Sequence, residues 1–392
     1  MAVYNPDKYA GAFQKIVKIF SDLNTAFITK IARQIKKIGE LGQASINSLI
    51  VMREMGADIA DINRQLINAT GLSQRALMEV YQAALNDQYT DKRFQDFLQT
   101  APAPVVAQGY SRLNQLVRLS AVQSLGTIQN LANTTVVDSA YREAVDKAVL
   151  AAASGLTDYQ AATRGVLRSV GENGLQVQYE SGVRRRLDTA VRQNVTNAVK
   201  QLAQQSSLMI GDMMNDDAVE LSAHLRSAPD HEPVQGRVFL LAEFDKMQNG
   251  APFADVDGHT YEGFKRPIGE WNCGHHVHSF NTKTSTRIYT DAQLADFASR
   301  NNEGCEINGK HVTTYEASQV MREIETKVRR QKDVANAARE AGDKTLQIEC
   351  QKKINRLAAQ YEAIAKAANL PLHKDRMAVE GFRMVKVPKP NN

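Results

Sequence analysis

The chain has 392 residues, 43% of them hydrophobic and 23% charged, an ordinary globular balance that argues against wholesale disorder and leaves room for two or three domains. Its net charge of +5 is too small to imply nucleic-acid binding by itself, but residues 315–392 hold 16 Lys and Arg against 10 Asp and Glu, so this segment carries the whole excess. Three widely spaced cysteines (Cys273, Cys305 and Cys350) argue against a disulfide framework and fit synthesis in a reducing cytoplasm; no secretory signal is visible, and no run of roughly 18 apolar residues offers a membrane span.

In chain order, Phe13, Ile16, Phe20, Leu23, Phe27, Ile31, Ile35 and Ile38 recur at spacings of three and four, one apolar stripe on a long helix that Gly39 and Gly42 should end. With its interspersed lysines the stripe suits a core-facing helix, and also a helix lying on a membrane surface. Helices are expected over 58–66 and over 73–85, the second with Ser73 as N-cap. Thr100-Ala-Pro-Ala-Pro104 reads as a stiff linker. Helical patterns return over 105–131 and 139–153. A short helix over 158–170 should close at Gly171 and Gly174, and a long one should span 187–214.

The texture changes after Asp217. Ala218–Ser222 and Arg237–Leu241 look like short strands, and six of the eight histidines fall between His224 and His278. From Tyr315 the helical pattern returns in two arms separated by Gly342, with Val320, Ile324 and Val328 on one face of the first. Leu346, Cys350, Ile354, Leu357, Tyr361 and Ile364 share one face of the second, so the pair reads as an antiparallel hairpin. The fold class is therefore mainly α with a small α+β module. Four segments follow: helical regions over 1–100 and 105–217, a His/Cys-rich module over 218–312, and a helical hairpin and tail over 313–392.

Gly304-Cys-Glu-Ile-Asn-Gly309-Lys310 matches a phosphate-binding loop through its lysine, but His311 stands where Ser or Thr should bind magnesium and no apolar strand precedes it. Asn308-Gly309 between Ile307 and Val312 is better read as a hairpin turn. Asp255-Val-Asp257-Gly258 begins like a calcium loop and reads as a turn. Lys327, Arg329, Arg330 and Lys332 form a basic cluster, read as a solvated face, with contact to a phosphate backbone as the other reading.

The His/Cys constellation carries more chemistry. His224 and His231 lie around Pro229, and Trp271-Asn-Cys273-Gly-His275-His276-Val-His278 packs four soft or borderline ligands into six residues. Tetrahedral zinc takes four such ligands, and a loop-rich module gains much from a metal clip. His224, His231, Cys273 and His275 are the candidate ligands of a structural zinc, with His276 and His278 as alternates. The same groups could instead hydrogen-bond to one another beside Trp271, or Cys273 could act as a nucleophile with a histidine base and Asp230. No complete catalytic motif is present.

From Ser154 onward the chain resembles the phage minor capsid protein 2 family. The pieces are Ser154-Gly155, Asp158-Tyr159 with Ala162, Gln178-Tyr179 with Gly182, and Val191-Arg192 with Val195. They continue through Val219–His224, His231, Gln235-Gly236, Trp271–His275, Thr286–Thr290 with Leu294, and Gly309-Lys310. Tyr315–Gln319 follows, with Arg322, Glu325 and Arg329. Two departures stand out: Ala228-Pro229 replaces Arg-Pro, and Val234 replaces Trp before Gln-Gly. The resemblance implies a structural protein of the virion head rather than an enzyme. Its implied partners are the portal and other capsid proteins, with non-specific contact to packaged DNA. The rival function is a metal-dependent hydrolase or toxin-like domain carried by a virion protein.

Overall fold

The structure, a computed structural model, describes residues 10–41, 49–89, 92–153, 158–269 and 273–388. Gly42, Trp271 and Asn272 lie outside the described residues, as does the side chain of Phe13. The elements in order are α1 (Ala10–Leu41), α2 (Leu49–Gln88), α3 (Lys92–Thr100), α4 (Ala103–Asn133), β1 (Thr135–Val136), α5 (Asp138–Ala153), α6 (Tyr159–Asn173), β2 (Gln176–Gln178) and β3 (Arg184–Arg186). Then come α7 (Leu187–Met213), β4 (Ala218–Leu221), β5 (Val238–Leu240), α8 (Leu241–Gln248), β6 (Phe253–Ala254), β7 (Thr260–Tyr261) and β8 (Val277–Phe280). α9 (Asp291–Glu303), β9 (Cys305–Ile307), β10 (Lys310–Val312), α10 (Thr314–Glu340) and α11 (Lys344–Ala367) complete the chain. The fold is mainly α with a small β-containing module, as the periodicities predict.

The chain divides into two compact units, each assembled from three stretches: 1–16, 74–127 and 192–318 in the first, 17–73, 128–191 and 319–392 in the second. The divisions fall inside α1, α2, α4, α7 and α10. The four consecutive segments expected from texture follow runs of secondary structure; compactness groups the chain differently.

In the second unit the α1 stripe is core. Phe20, Phe27, Ile31, Ile35 and Ile38 are buried, which answers the choice between core and membrane surface for this helix. The Phe27 ring meets Tyr141 edge-on at 6.1 Å, and the Tyr141 hydroxyl donates to Asp58 Oδ2 at 2.7 Å. Gly39 does not end α1. An added Cβ there would lie 2.5 Å from the Tyr159 ring, so this glycine admits a close neighbour and the helix runs on to Leu41. Gly171 behaves likewise inside α6, where a Cβ would meet the Val334 backbone at 2.6 Å, and the helix stops only at Gly174, which takes φ 56. Asp158 caps the start of α6 by accepting from Ala161 N at 2.8 Å.

Arg186, on β3, is buried between Asp188 and Asp333, with Nη2 2.8 Å from Asp333 Oδ2. α10 and α11 form the expected hairpin: Gly342 takes φ 77, and Asp343 caps α11 through Leu346 N at 3.0 Å. All six residues of the α11 stripe are buried, and the Tyr361 hydroxyl reaches Glu325 Oε1 at 2.9 Å.

Two helices expected over 58–66 and 73–85 prove to be parts of the single 40-residue α2, whose residues are shared between the two units. Ser73 is not a cap. It is buried mid-helix, and its hydroxyl donates to Ala69 O at 2.8 Å, which satisfies it without leaving the helix. The expected stiff linker shortens to Ala101-Pro102. Pro104 lies in the first turn of α4, where the N–H it lacks would have no helical partner.

The module that follows α7 has a three-stranded antiparallel sheet in the order β5-β4-β8, with Val219 opposite Phe239 and Ser279. Strand alternation sorts its side chains. Val219, Leu221, Phe239 and Val277 join Phe244 and Met247 of α8 in one apolar cluster, while Ala218, Val238 and Phe280 form another. β9 and β10 form the hairpin read from Asn308-Gly309, whose φ values of 53 and 73 are those the primed turn requires. The phosphate-loop match is thereby spent on a turn.

Candidate functional site

Three of the four candidate ligands converge. His231 ends the turn after Pro229, and Cys273 and His275 stand two apart in the irregular segment that leads into β8. Cys273 Sγ lies 3.3 Å from His231 Nδ1 and 3.3 Å from His275 Nδ1, and the His275 backbone N–H donates to the same sulfur at 3.4 Å. The ligand atoms of the three all lie within 4.8 Å of one another, and all three residues are buried at 0–3% exposure. His224 is adjacent to this trio but outside the convergence: its ring lies 4.5 Å from that of His275, centroid to centroid. His224 Nε2 is buried against Gly274, where a Cβ would come within 2.6 Å of it.

The alternates point elsewhere. His276 and His278 alternate to the opposite face of the sheet, where their rings meet at 4.7 Å and His278 stands across from Glu220. Burial and the neighbouring His278 hold the His276 imidazole well below its usual value.

The outer nitrogens of the trio are also held. His231 Nε2 lies 2.9 Å from the Arg266 carbonyl oxygen, and His275 Nε2 lies 3.3 Å from Ser227 Oγ. Lys200 of α7 donates to the Cys273 carbonyl at 2.5 Å, fixing the segment that carries the thiol. Burial opposes ionisation of Cys273, yet the His231 hydrogen bond and charge outweigh it and hold the thiol below its usual value. Burial also opposes charge on His231, and the same partnership overcomes it and raises that imidazole. His275 is pushed well below its usual value by burial and by the neighbouring His224 and His231. Cys273 and His231 thus each shift the other toward its charged form.

Asp230 pairs with Arg266 at 2.7 Å and comes no closer than 3.7 Å to His231, whose outer nitrogen is held by a carbonyl instead. Cys273 itself is buried, at 2% exposure. Asp255 is a turn residue. Its Oδ1 accepts from the backbone of Asp257 and His259, and its Oδ2 from the Tyr261 hydroxyl at 2.9 Å. The basic cluster is only partly solvated. Arg329 and Lys332 donate to the carbonyls of Arg376 and Met377 at 2.6 and 2.8 Å, Lys327 pairs with Glu323, and Arg330 is exposed.

The family model for phage minor capsid protein 2 matches residues 4–364. The chain belongs to that family. No curated protein and no solved structure matches it. Membership makes the chain a structural component of a bacteriophage virion. Its family match extends through the N-terminal helices as well as the histidine module. Among its described residues no helix is long and apolar enough to cross a membrane.

Sequence reasoning missed the outer partners. The Arg266 carbonyl carries no side-chain signature at all. Ser227 lies between His224 and His231, and a hydroxyl flanked by candidate ligands was the available signal. Glu220 was legible as a carboxylate inside an apolar strand; the structure buries it completely.

Proposed function

We propose that the protein is a part of the phage head near the portal, acting in head assembly or in DNA packaging or ejection. Family membership over residues 4–364 is the observation that carries this reading, because it makes the protein a virion part that must seat against other capsid proteins. The helical surface offers means of doing so. Leu119 and Val122, three apart on α4, are 59% and 70% exposed, and apolar side chains at that spacing are the sort a partner helix covers. The basic excess after residue 314 suits a position near packaged DNA, with contact of the salt-sensitive, sequence-independent kind.

Quantitative mass spectrometry of purified virions, with cross-linking before disassembly, tests the reading. The expected result is a low copy number, enrichment in the head fraction and cross-links to the portal. Absence from purified particles, or cross-links confined to tail proteins, would overturn the placement.

A further inference from the structure

We propose that His231, Cys273 and His275 hold a zinc ion in a structural site, with Cys273 Sγ and the two Nδ1 atoms as ligands and His224 beside the fourth position. The spacing is the first argument. A zinc ion with thiolate at about 2.3 Å and imidazole nitrogen at about 2.0–2.1 Å, in tetrahedral geometry, sets sulfur and nitrogen roughly 3.5 Å apart. The two sulfur–nitrogen separations are each 3.3 Å, within a few tenths of an ångström of that value, and all three ligand atoms lie within 4.8 Å of one another.

The outer contacts give a second, independent argument. The Arg266 carbonyl can only accept, so the proton of a neutral His231 sits on Nε2 and its Nδ1 lone pair faces the sulfur. Ser227 can accept from His275 Nε2 in the same way. Imidazoles anchored outward through one nitrogen, with the other turned inward beside a thiol, form the arrangement that orients metal ligands. The His275 N–H aimed at Sγ would steady a metal-bound thiolate as well. The His224 ring lies 4.5 Å from that of His275, tilted by 32°, with its Nε2 buried against Gly274, so that this imidazole is the neighbouring candidate for a fourth ligand.

The segment is one that gains from such a clip. Residues 222–237 and 262–276 contain no α-helix or β-strand among their described residues, only a 3-10 turn over Glu232–Val234. An ion on this trio would join both segments to the start of β8. The rival arrangement is metal-free: the Cys273 thiol donates to His231, His275 Nδ1–H donates to the sulfur, and Ser227 donates to His275 Nε2. It uses the same contacts and binds nothing.

The purified full-length chain distinguishes them. Elemental analysis after exhaustive dialysis should find about one zinc per chain, and a chelator should lower Tm by about 5 °C or more. Cobalt(II) replacing the zinc should show a thiolate-to-metal charge-transfer band, which Cys273→Ser abolishes and Cys350→Ser leaves intact. X-ray absorption of the zinc-loaded parent chain should report one sulfur and three nitrogen or oxygen ligands, and this needs no variant to fold. Less than a tenth of an equivalent even after zinc is supplied, or bound zinc without a sulfur ligand, would overturn the proposal.

Discussion

Glu220 lies on the middle strand of the three-stranded sheet, with no exposed surface and Val238 and His278 directly opposite on the flanking strands. Burial pushes its carboxyl up to about 7, against the opposing pull of the Ile288 and Tyr289 backbone N–H groups and of Arg287. His278, Arg287 and Tyr289 are the titratable or charged groups facing it. The sign follows. The folded state holds this proton more tightly than the unfolded chain, so Glu220 stabilises fully below its unfolded value of 4.5, and the contribution is lost as pH rises through about 7. Glu220→Gln keeps an oxygen for the Ile288 N–H, 2.7 Å away, and removes the ionisation. It should be more stable than the parent at pH 8, by on the order of 2–3 kcal/mol, with the difference shrinking toward pH 5. Melts of both proteins at the two pH values test this; equal parent-to-variant differences at pH 5 and pH 8 would refute it. The residue scale also marks how far the site was readable. Cys273-x-His275 was legible because two ligand types stand close together in the sequence, and His231 only as a candidate 42 residues away. The fourth candidate, His224, stands beside the trio rather than in it. Glu220 shows the opposite limit: alternation places it away from Val219, as sequence would have it, but the Ile288–Tyr289 segment that covers that face leaves no pattern to read.

At the scale of elements, apolar periodicity found the helices and misjudged their interruptions, for a consistent physical reason. Glycines were read as helix ends and Ser73 as a helix start. Gly39 and Gly171 instead admit a neighbour that any Cβ would strike, and Ser73 turns its hydroxyl back on its own helix. Where a glycine needs positive φ, at Gly174, Gly309 and Gly342, the reading as a break or turn held. The two kinds are separable by substitution on one helix. Gly171→Ala places a methyl 2.6 Å from the Val334 backbone, which cannot give as a side-chain end can. It should cost about 1–3 kcal/mol through overpacking. Gly165→Ala, six residues earlier on α6, meets nothing within 4 Å and should stabilise by up to about 1 kcal/mol, since alanine is the better helix former. Denaturant titrations of the two variants check the contrast; the same sign for both would mean that the α6 register against α10 is not as described.

The whole molecule is organised in a way that no local pattern announces, because each compact unit gathers three separated stretches. Sequence texture marks residues 218–312 as a module, and the strands lie where expected. The first unit nonetheless supports that module from outside its limits. Ser207 of α7 accepts from Ser279 N at 3.0 Å, and Lys200 donates to the Cys273 carbonyl. Arg93 of α3 donates to the Ser279 carbonyl at 2.9 Å and pairs with Asp216 at 2.6 Å. Gly211 of α7 lies so close to β8 that an added Cβ would come 2.6 Å from Ser279 Cβ. Cutting the chain at 217 and 312 strips β8 of these partners and exposes the sheet face that α7 covers, leaving a segment of under 100 residues with an incomplete core. Such a fragment should show weak near-ultraviolet circular dichroism and no cooperative melt, whereas a chain retaining residues 74–127 and 192–318 should melt cooperatively. The comparison is made with zinc supplied to both, so that loss of a metal clip cannot imitate loss of packing. A 218–312 fragment that unfolded in one sharp transition near the parent temperature would show that the module carries its own core, and that α3 and α7 contribute little to it.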